Sequence, residues 1–248
     1  LDSHATADAA ARAATRGTVL CVHGNPTWSY LWRRVVAAPP RGWRVVAVDQ
    51  LDMGYSERTG TVRPLAQRVD DLDALTDALG LTGAGERPRI VTLAHDWGGP
   101  ISLGWAERHV AQLDGVVLAN TAVHQPAGAP APAVIRAARL PGMLPGVTSR
   151  SRMFIRSALF MTRPLPSTAI RKGYYAPYAT TERRAAIEWF VRDIPLDPTD
   201  VSATALDRIA DGLTALRHIP VLLLWGPSDP VFSDLYLRDL IDRLPHAD

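Results

Sequence analysis

A chain of 248 residues with 47% hydrophobic and 21% charged side chains has the composition of an ordinary globular protein, long enough to bury a core without disulfides or metals. Cys21 is the only cysteine, which excludes a disulfide framework and a cysteine-based metal site. The net charge of +2 is spread thinly with no basic run for nucleic acid, and no apolar stretch approaches the ~20 residues of a membrane span.

The chain opens on Leu1 rather than Met and stops at Leu244-Pro245-His246-Ala247-Asp248, without a helix to close a domain. Both ends read as cut, which leaves room for a signal peptide ahead of residue 1. Lys172 is the only lysine among the basic residues, a bias that with the abundant alanine reflects a GC-rich genome rather than a function.

The alanine-rich opening, Ala5 to Ala14, is low in complexity and reads as a loop or a frayed segment. Thr18 to Val22 predicts a first strand, Tyr30 to Ala38 a helix, Arg44 to Val48 a second strand and Pro64 to Leu79 a longer helix. Ile90 to Ala94 predicts a third strand, Pro100 to His109 a helix and Gly115 to Ala119 a fourth strand. Pro64 and Pro100 fall near helix starts, where a missing N–H does no harm. Each strand run is nearly continuous in apolar residues, as expected for strands buried on both faces of a parallel sheet.

The alternation breaks between Thr121 and about Ala205. This stretch begins proline-rich, from Gln125 to Pro132, and goes on with helical patterning and many arginines. Val221 to Trp225 and Ser233 to Leu244 then resume the pattern as a fifth strand and a last helix. The expectation is an α/β protein with a mostly parallel sheet flanked by helices. Its core comprises 1–120 and 206–248, with 121–205 as a helical cap over the carboxyl edge of the sheet, where open α/β sheets bind ligands.

The strongest local signal is the run from Ile90 through Ala94-His95-Asp96-Trp97-Gly98-Gly99 to Pro100. A buried strand enters a turn of the form small-x-nucleophile-x-small and leaves it as a helix, which sets the middle side chain in a strained, exposed position. The helix N-terminus favours negative charge there, so the Asp96 carboxylate suits an ionised nucleophile. In isolation, Asp-x-Gly-Gly would more often be a helix cap. A second motif decides against that reading: His23-Gly24-Asn25-Pro26-Thr27-Trp28-Ser29-Tyr30-Leu31-Trp32-Arg33, directly after the first strand. Asn25 offers an amide donor, and Trp97 an indole N–H that only donates. Two donors aimed at one point stabilise a departing anion. His23 and His95 each precede a tight turn and read as structural.

With Gly226-Pro227-Ser228-Asp229-Pro230-Val231-Phe232, these motifs make the chain resemble the haloalkane-dehalogenase-like branch of the α/β-hydrolases, over nearly its whole length. Within that branch, Asn120-Thr121-Ala122, Tyr174-Tyr175-Ala176-Pro177-Tyr178 and Arg192-Asp193-Ile194-Pro195-Leu196-Asp197-Pro198 look most like the β-lactone decarboxylases of long-chain olefin biosynthesis. The resemblance implies that Asp229 is the acid orienting a catalytic histidine, since Asn120, at the alternative position, cannot carry the charge. It implies that this histidine follows one more strand, beyond residue 248. His246 comes too early for the role, and His124 and His218 lie at the wrong ends of their elements. The missing strand would leave Val221 to Trp225 as an exposed apolar edge.

A carboxylate nucleophile suits attack at an sp3 carbon bearing a leaving group, giving an alkyl ester of the enzyme. Attack on an ordinary ester would give an anhydride, so a routine esterase is not expected. The resemblance implies opening and decarboxylation of a cis-β-lactone to an alkene, with Asn25 and Trp97 holding the departing carboxylate. The competing reading is a haloalkane dehalogenase, with the same donors holding halide. An epoxide hydrolase is disfavoured by Asn25, where those enzymes usually carry an apolar or aromatic residue. A non-catalytic binding protein of the same fold is disfavoured by the intact Asp96, Asn25, Trp97 and Asp229. No metal or cofactor is called for. The expected partner is a small hydrophobic substrate, in the cytoplasm, with fusion to or complexes with other olefin-pathway enzymes as a further expectation.

Overall fold

The computed structural model describes residues 1–248 apart from 6, 7, 9–11, 13, 83–88 and 127–130. Most of the alanine-rich opening and the centre of the proline-rich segment therefore lie outside the described residues. Five strands among the described residues form one sheet: β1 (Gly17–Val22), β2 (Trp43–Ala47), β3 (Ile90–His95), β4 (Leu113–Ala119) and β5 (Val221–Leu224). Their order is β2-β1-β3-β4-β5 and every pair is parallel. All six residues of β1 are buried, as its continuous apolar run requires. Where a mostly parallel sheet was expected, all four strand pairs are parallel, and the antiparallel contact of Asp2 with Val46 is an isolated bridge outside the strands.

At the other edge, Leu223 donates its N–H to the Asp248 carbonyl at 2.8 Å, and Asp248 donates to Val221 at 3.0 Å. Beyond that rung β5 is an edge strand, and its Leu222 and Leu224 are exposed.

Among the described residues three α-helices accompany the first four strands: α1 (Arg33–Ala37), α2 (Leu65–Ala78) and α3 (Gly98–Arg108). A 3-10 turn over Ser29–Trp32 opens the segment where one continuous helix was expected. α3 begins two residues earlier than the sequence pattern indicates, so Pro100 sits inside its first turn. That is permitted because the first N–H groups of a helix have no intrahelical partner. α3 is buried from Gly98 through Ala106, and its Trp105 Nε1–H donates to Thr76 Oγ1 of α2 at 2.9 Å.

Between β4 and β5 the described residues form α4 (Ala133–Ala138), α5 (Met143–Val147), α6 (Met153–Met161), α7 (Thr168–Tyr175), α8 (Ala185–Arg192) and α9 (Ala203–Gly212). The boundary expected at 205–206 falls inside α9. α10 (Asp234–Arg243) follows β5.

The register sets the site. Val22 pairs with Ala94, His95 with Ala119, and Ala119 with Leu224. The loops after β1, β3, β4 and β5 thus leave from one edge of the sheet. β1 connects to β2 on one side and lies beside β3 on the other, so the strand order reverses between β1 and β3. A crevice opens at such a reversal, and Asn25 and Asp96 follow those two strands.

Candidate active site

Asp96 has φ of 54°, in the left-handed region that costs a residue with a side chain about 1–3 kcal/mol. The turn is held by its main chain. Asp96 N–H donates to the Asn120 carbonyl at 3.1 Å, while the Asp96 carbonyl accepts from Gly99 N–H at 2.9 Å and Thr121 Oγ1 at 2.6 Å. Strand and helix approach so closely that a Cβ on Gly98 would lie 2.1 Å from the Val22 carbonyl oxygen. The same crowding reaches the side chain, since a Cβ on Gly24 would lie 2.1 Å from Asp96 Oδ1.

Oδ1 is fixed by the backbone N–H of Asn25, which donates to it at 2.7 Å. Burial pushes the Asp96 carboxyl up to about 7 and the charge of Asp229 pushes the same way, against the backbone N–H groups of Trp97 and Asn25. The Asn25 contact fixes the orientation of the carboxyl group.

Asn25, Asp96 and Trp97 share the wall of one cavity of about 390 Å3. Most of the rest of that wall is apolar, with Ile135, Phe154, Val191 and Leu206 among its residues. Asn25 Nδ2 donates one N–H to the Ile187 carbonyl at 3.2 Å, which leaves its second N–H for a ligand. Trp97 lies edge-on against Phe190, with ring centroids 5.7 Å apart. Phe190 also packs against the buried Arg68 guanidinium, 3.5 Å from its ring centroid. Ile187 and Phe190 both belong to α8, so one helix supports both candidate donors.

Asp229 lies in the loop after β5. Its Oδ1 accepts from the N–H groups of Val231 at 2.8 Å and Phe232 at 3.0 Å, which shapes that loop. Asn120 ties the loop to the end of β4: its Oδ1 accepts from Gly226 N–H at 2.8 Å and its Nδ2 donates to the Gly226 carbonyl at 3.3 Å. The structure therefore brings Asn25, Asp96 and Trp97 to one cavity and sets Asp229 near enough to bias Asp96, though not on the cavity wall.

His23 is buried and held neutral by burial. Its Nε2 accepts from Gln50 N–H at 3.1 Å, which leaves Nδ1 to donate to the Gly24 carbonyl at 2.9 Å. Burial lowers His95 to about 4. Sequence reasoning missed a further pair on the cavity wall: His124 Nε2 lies 3.7 Å from Asp207 Oδ1. A histidine after β4 and an aspartate on α9 carry no local signal that they meet.

The chain belongs to the α/β-hydrolase fold family, whose model matches residues 17–152, more than half of its length. Within that family it falls in the haloalkane-dehalogenase-like branch, a branch of enzymes. It is 35% identical to a cis-3-alkyl-4-alkyloxetan-2-one decarboxylase of Xanthomonas campestris, over 93% of this chain and 78% of that one. It is 31% identical to haloalkane dehalogenase 2 of Mycobacterium bovis, over 91% of this chain and 75% of the relative. Among solved structures it superposes on haloalkane dehalogenase DbeA of Bradyrhizobium elkani with a TM-score of 0.79 and 25% identity, covering 94% of this chain and 80% of that one.

Proposed function

We propose that Asp96 opens the ring of a cis-3,4-dialkyl oxetan-2-one, a β-lactone, and that the products are a cis-alkene and carbon dioxide. The observation that carries this reading is Asp96 on the wall of an apolar cavity, one oxygen pinned by Asn25 and two candidate anion donors beside it. The other carboxylate oxygen, Oδ2, attacks the sp3 ring carbon C4 from the side opposite the ring oxygen. The C4–O bond breaks with its electron pair on oxygen, which gives an alkyl ester of Asp96 and a carboxylate. The second N–H of Asn25 and the indole N–H of Trp97 receive that developing charge.

The bond from C3 to the carboxylate then breaks. Its electron pair forms the C3–C4 double bond, carbon dioxide departs, and Asp96 leaves C4 as a carboxylate. Inversion at C4 followed by anti departure keeps the two alkyl chains cis. The cycle consumes no water and returns Asp96 as it started. In this reading 121–205 is a cap over the core, and Asp229 supplies charge that keeps Asp96 basic. The enzyme acts in the cytoplasm alongside others of olefin biosynthesis.

The second reading, a haloalkane dehalogenase, is favoured by the 31% identical relative and by the same two donors. It needs an added step, since water must hydrolyse the Asp96 ester. Offering a cis-3,4-dialkyl β-lactone and a 1-bromoalkane side by side separates the two. The lactone reading expects alkene release to outpace bromide release; bromide without alkene would assign the protein to the dehalogenases.

A further inference from the structure

The sequence has no run of more than two basic residues, yet its charge is unevenly placed. From Gly115 to Thr181 stand eight Lys or Arg and no Asp or Glu, whereas the remainder, with all 25 acidic residues and 19 basic ones, is net −6. This excess meets exposed apolar surface on α6. The inner face of that helix buries Ile155 and Leu159, and Phe154 reaches the cavity wall. On the outer face, in steps of three and four residues, Arg152, Met153, Arg156, Phe160 and Met161 are all exposed, Met153 at 55% and Phe160 at 67%. The turn after the helix adds exposed Arg163 and Leu165.

A helix that is apolar on two sides but covered on one presents an unpartnered face. None of Arg150, Arg152, Arg156, Arg163 and Lys172 forms an ion pair with a carboxylate among the described residues. Positive charge without counter-charge, mixed with large apolar side chains, matches an anionic interface that has an apolar layer beneath it.

We propose that the outer face of α6 rests on an anionic lipid surface, with Met153, Phe160 and Met161 at the acyl boundary and the arginines among the headgroups. A nucleic-acid backbone or an acidic peptide would answer the arginines but give the three apolar side chains nothing to enter. The helix lies in the interface rather than across it: its nine residues reach ~14 Å against the ~30 Å of a bilayer core. Among the described residues no helix is long and apolar enough to cross a membrane. Because Phe154 of the same helix lines the cavity, docking sets the cavity about one helix diameter, ~10 Å, from the acyl chains. A long-alkyl substrate dissolved in the bilayer enters by that route. This last step rests on the proposed function; the docking does not.

Flotation with vesicles of phosphatidylcholine, with and without phosphatidylglycerol, tests the docking. The protein should float with the anionic vesicles, release them at high salt, and ignore phosphatidylcholine alone. The double variant Arg152→Ser/Arg156→Ser should bind roughly twentyfold more weakly. Phe160→Ser/Met161→Ser should lose roughly tenfold, with melting curves and turnover of a short-chain, water-soluble lactone unchanged in both. The proposal is overturned if the wild type ignores anionic vesicles, or if both double variants bind as it does. Binding to polyglutamate but not to vesicles would also overturn it, in favour of an acidic protein partner. Absent lactone turnover alongside intact vesicle binding would remove the proposed function and leave the docking standing.

Discussion

The backbone N–H of Asn25 and Oδ1 of Asp96 stand 2.7 Å apart, although 71 positions separate the two residues in the chain. The contact bridges the loops after β1 and β3, at the point where the strand order reverses. It requires Gly24, because a Cβ there would lie 2.1 Å from the same oxygen. Gly24→Ala should therefore displace the Asp96 carboxylate and cut kcat roughly a hundredfold, since small misplacements of a nucleophile carry such losses. Its far-ultraviolet circular dichroism should stay native. A kcat near that of the wild type would show that the pinned oxygen is not needed.

The raised pKa of Asp96 fixes the direction of the pH dependence. The carboxylate attacks only when ionised, so kcat/KM should rise with pH and level off above about 7. Asp229 contributes to the upward shift, so Asp229→Asn should move the midpoint to lower pH. Stability runs the other way. The folded carboxyl holds its proton above its ordinary value of 3.8, so its contribution is complete below that value and lost as pH rises through about 7. Asp96→Asn should gain more in Tm over the wild type at about pH 8 than at about pH 5. A flat rate profile from acid to neutral pH would contradict the assignment.

Trp97 separates charge stabilisation from packing. Trp97→Phe keeps an aromatic ring against Phe190 and removes the indole N–H. Loss of one preorganised donor costs about 100- to 1000-fold in kcat, and KM should change little by comparison. If the substitution raised KM at constant kcat, the indole would be a ground-state contact instead.

Phe190 is fully buried between Trp97 and Arg68. Phe190→Ala should cost ~3–5 kcal/mol of stability by urea unfolding, from lost burial and the cavity left behind. It should also lower kcat, by releasing the Trp97 ring. Unfolding at the wild-type midpoint would mean that α8 packs there less tightly than the contacts require.

The strands and the sharp turn were legible in the sequence because each depends on side-chain type. A buried parallel strand needs a continuous apolar run, as in Val19 to Val22, and the turn needs small residues at Ala94 and Gly98. The opening of α3 at Gly98 was less legible, because Pro100 is tolerated anywhere in a first helical turn. The support of the site was not legible at all. Asn25 holds Asp96 through a backbone N–H, and Ile187 holds Asn25 through a carbonyl; any non-proline residue offers both groups. The pairing of His124 with Asp207 depends on how α9 returns to the core. The basic excess from Gly115 to Thr181 escapes a search for charge runs because its residues are spaced apart, and only Arg152 and Arg156 are set beside the exposed apolar residues by the formation of α6.

The central claim is that the Asp96 carboxylate opens a β-lactone. Its most direct test is to incubate wild type and Asp96→Asn with a cis-3,4-dialkyl β-lactone and follow products by gas chromatography–mass spectrometry. The wild type should form cis-alkene and carbon dioxide in equal amounts, and Asp96→Asn no more alkene than the uncatalysed control. Equal alkene from both proteins, or a β-hydroxy acid as the wild-type product, would contradict the account.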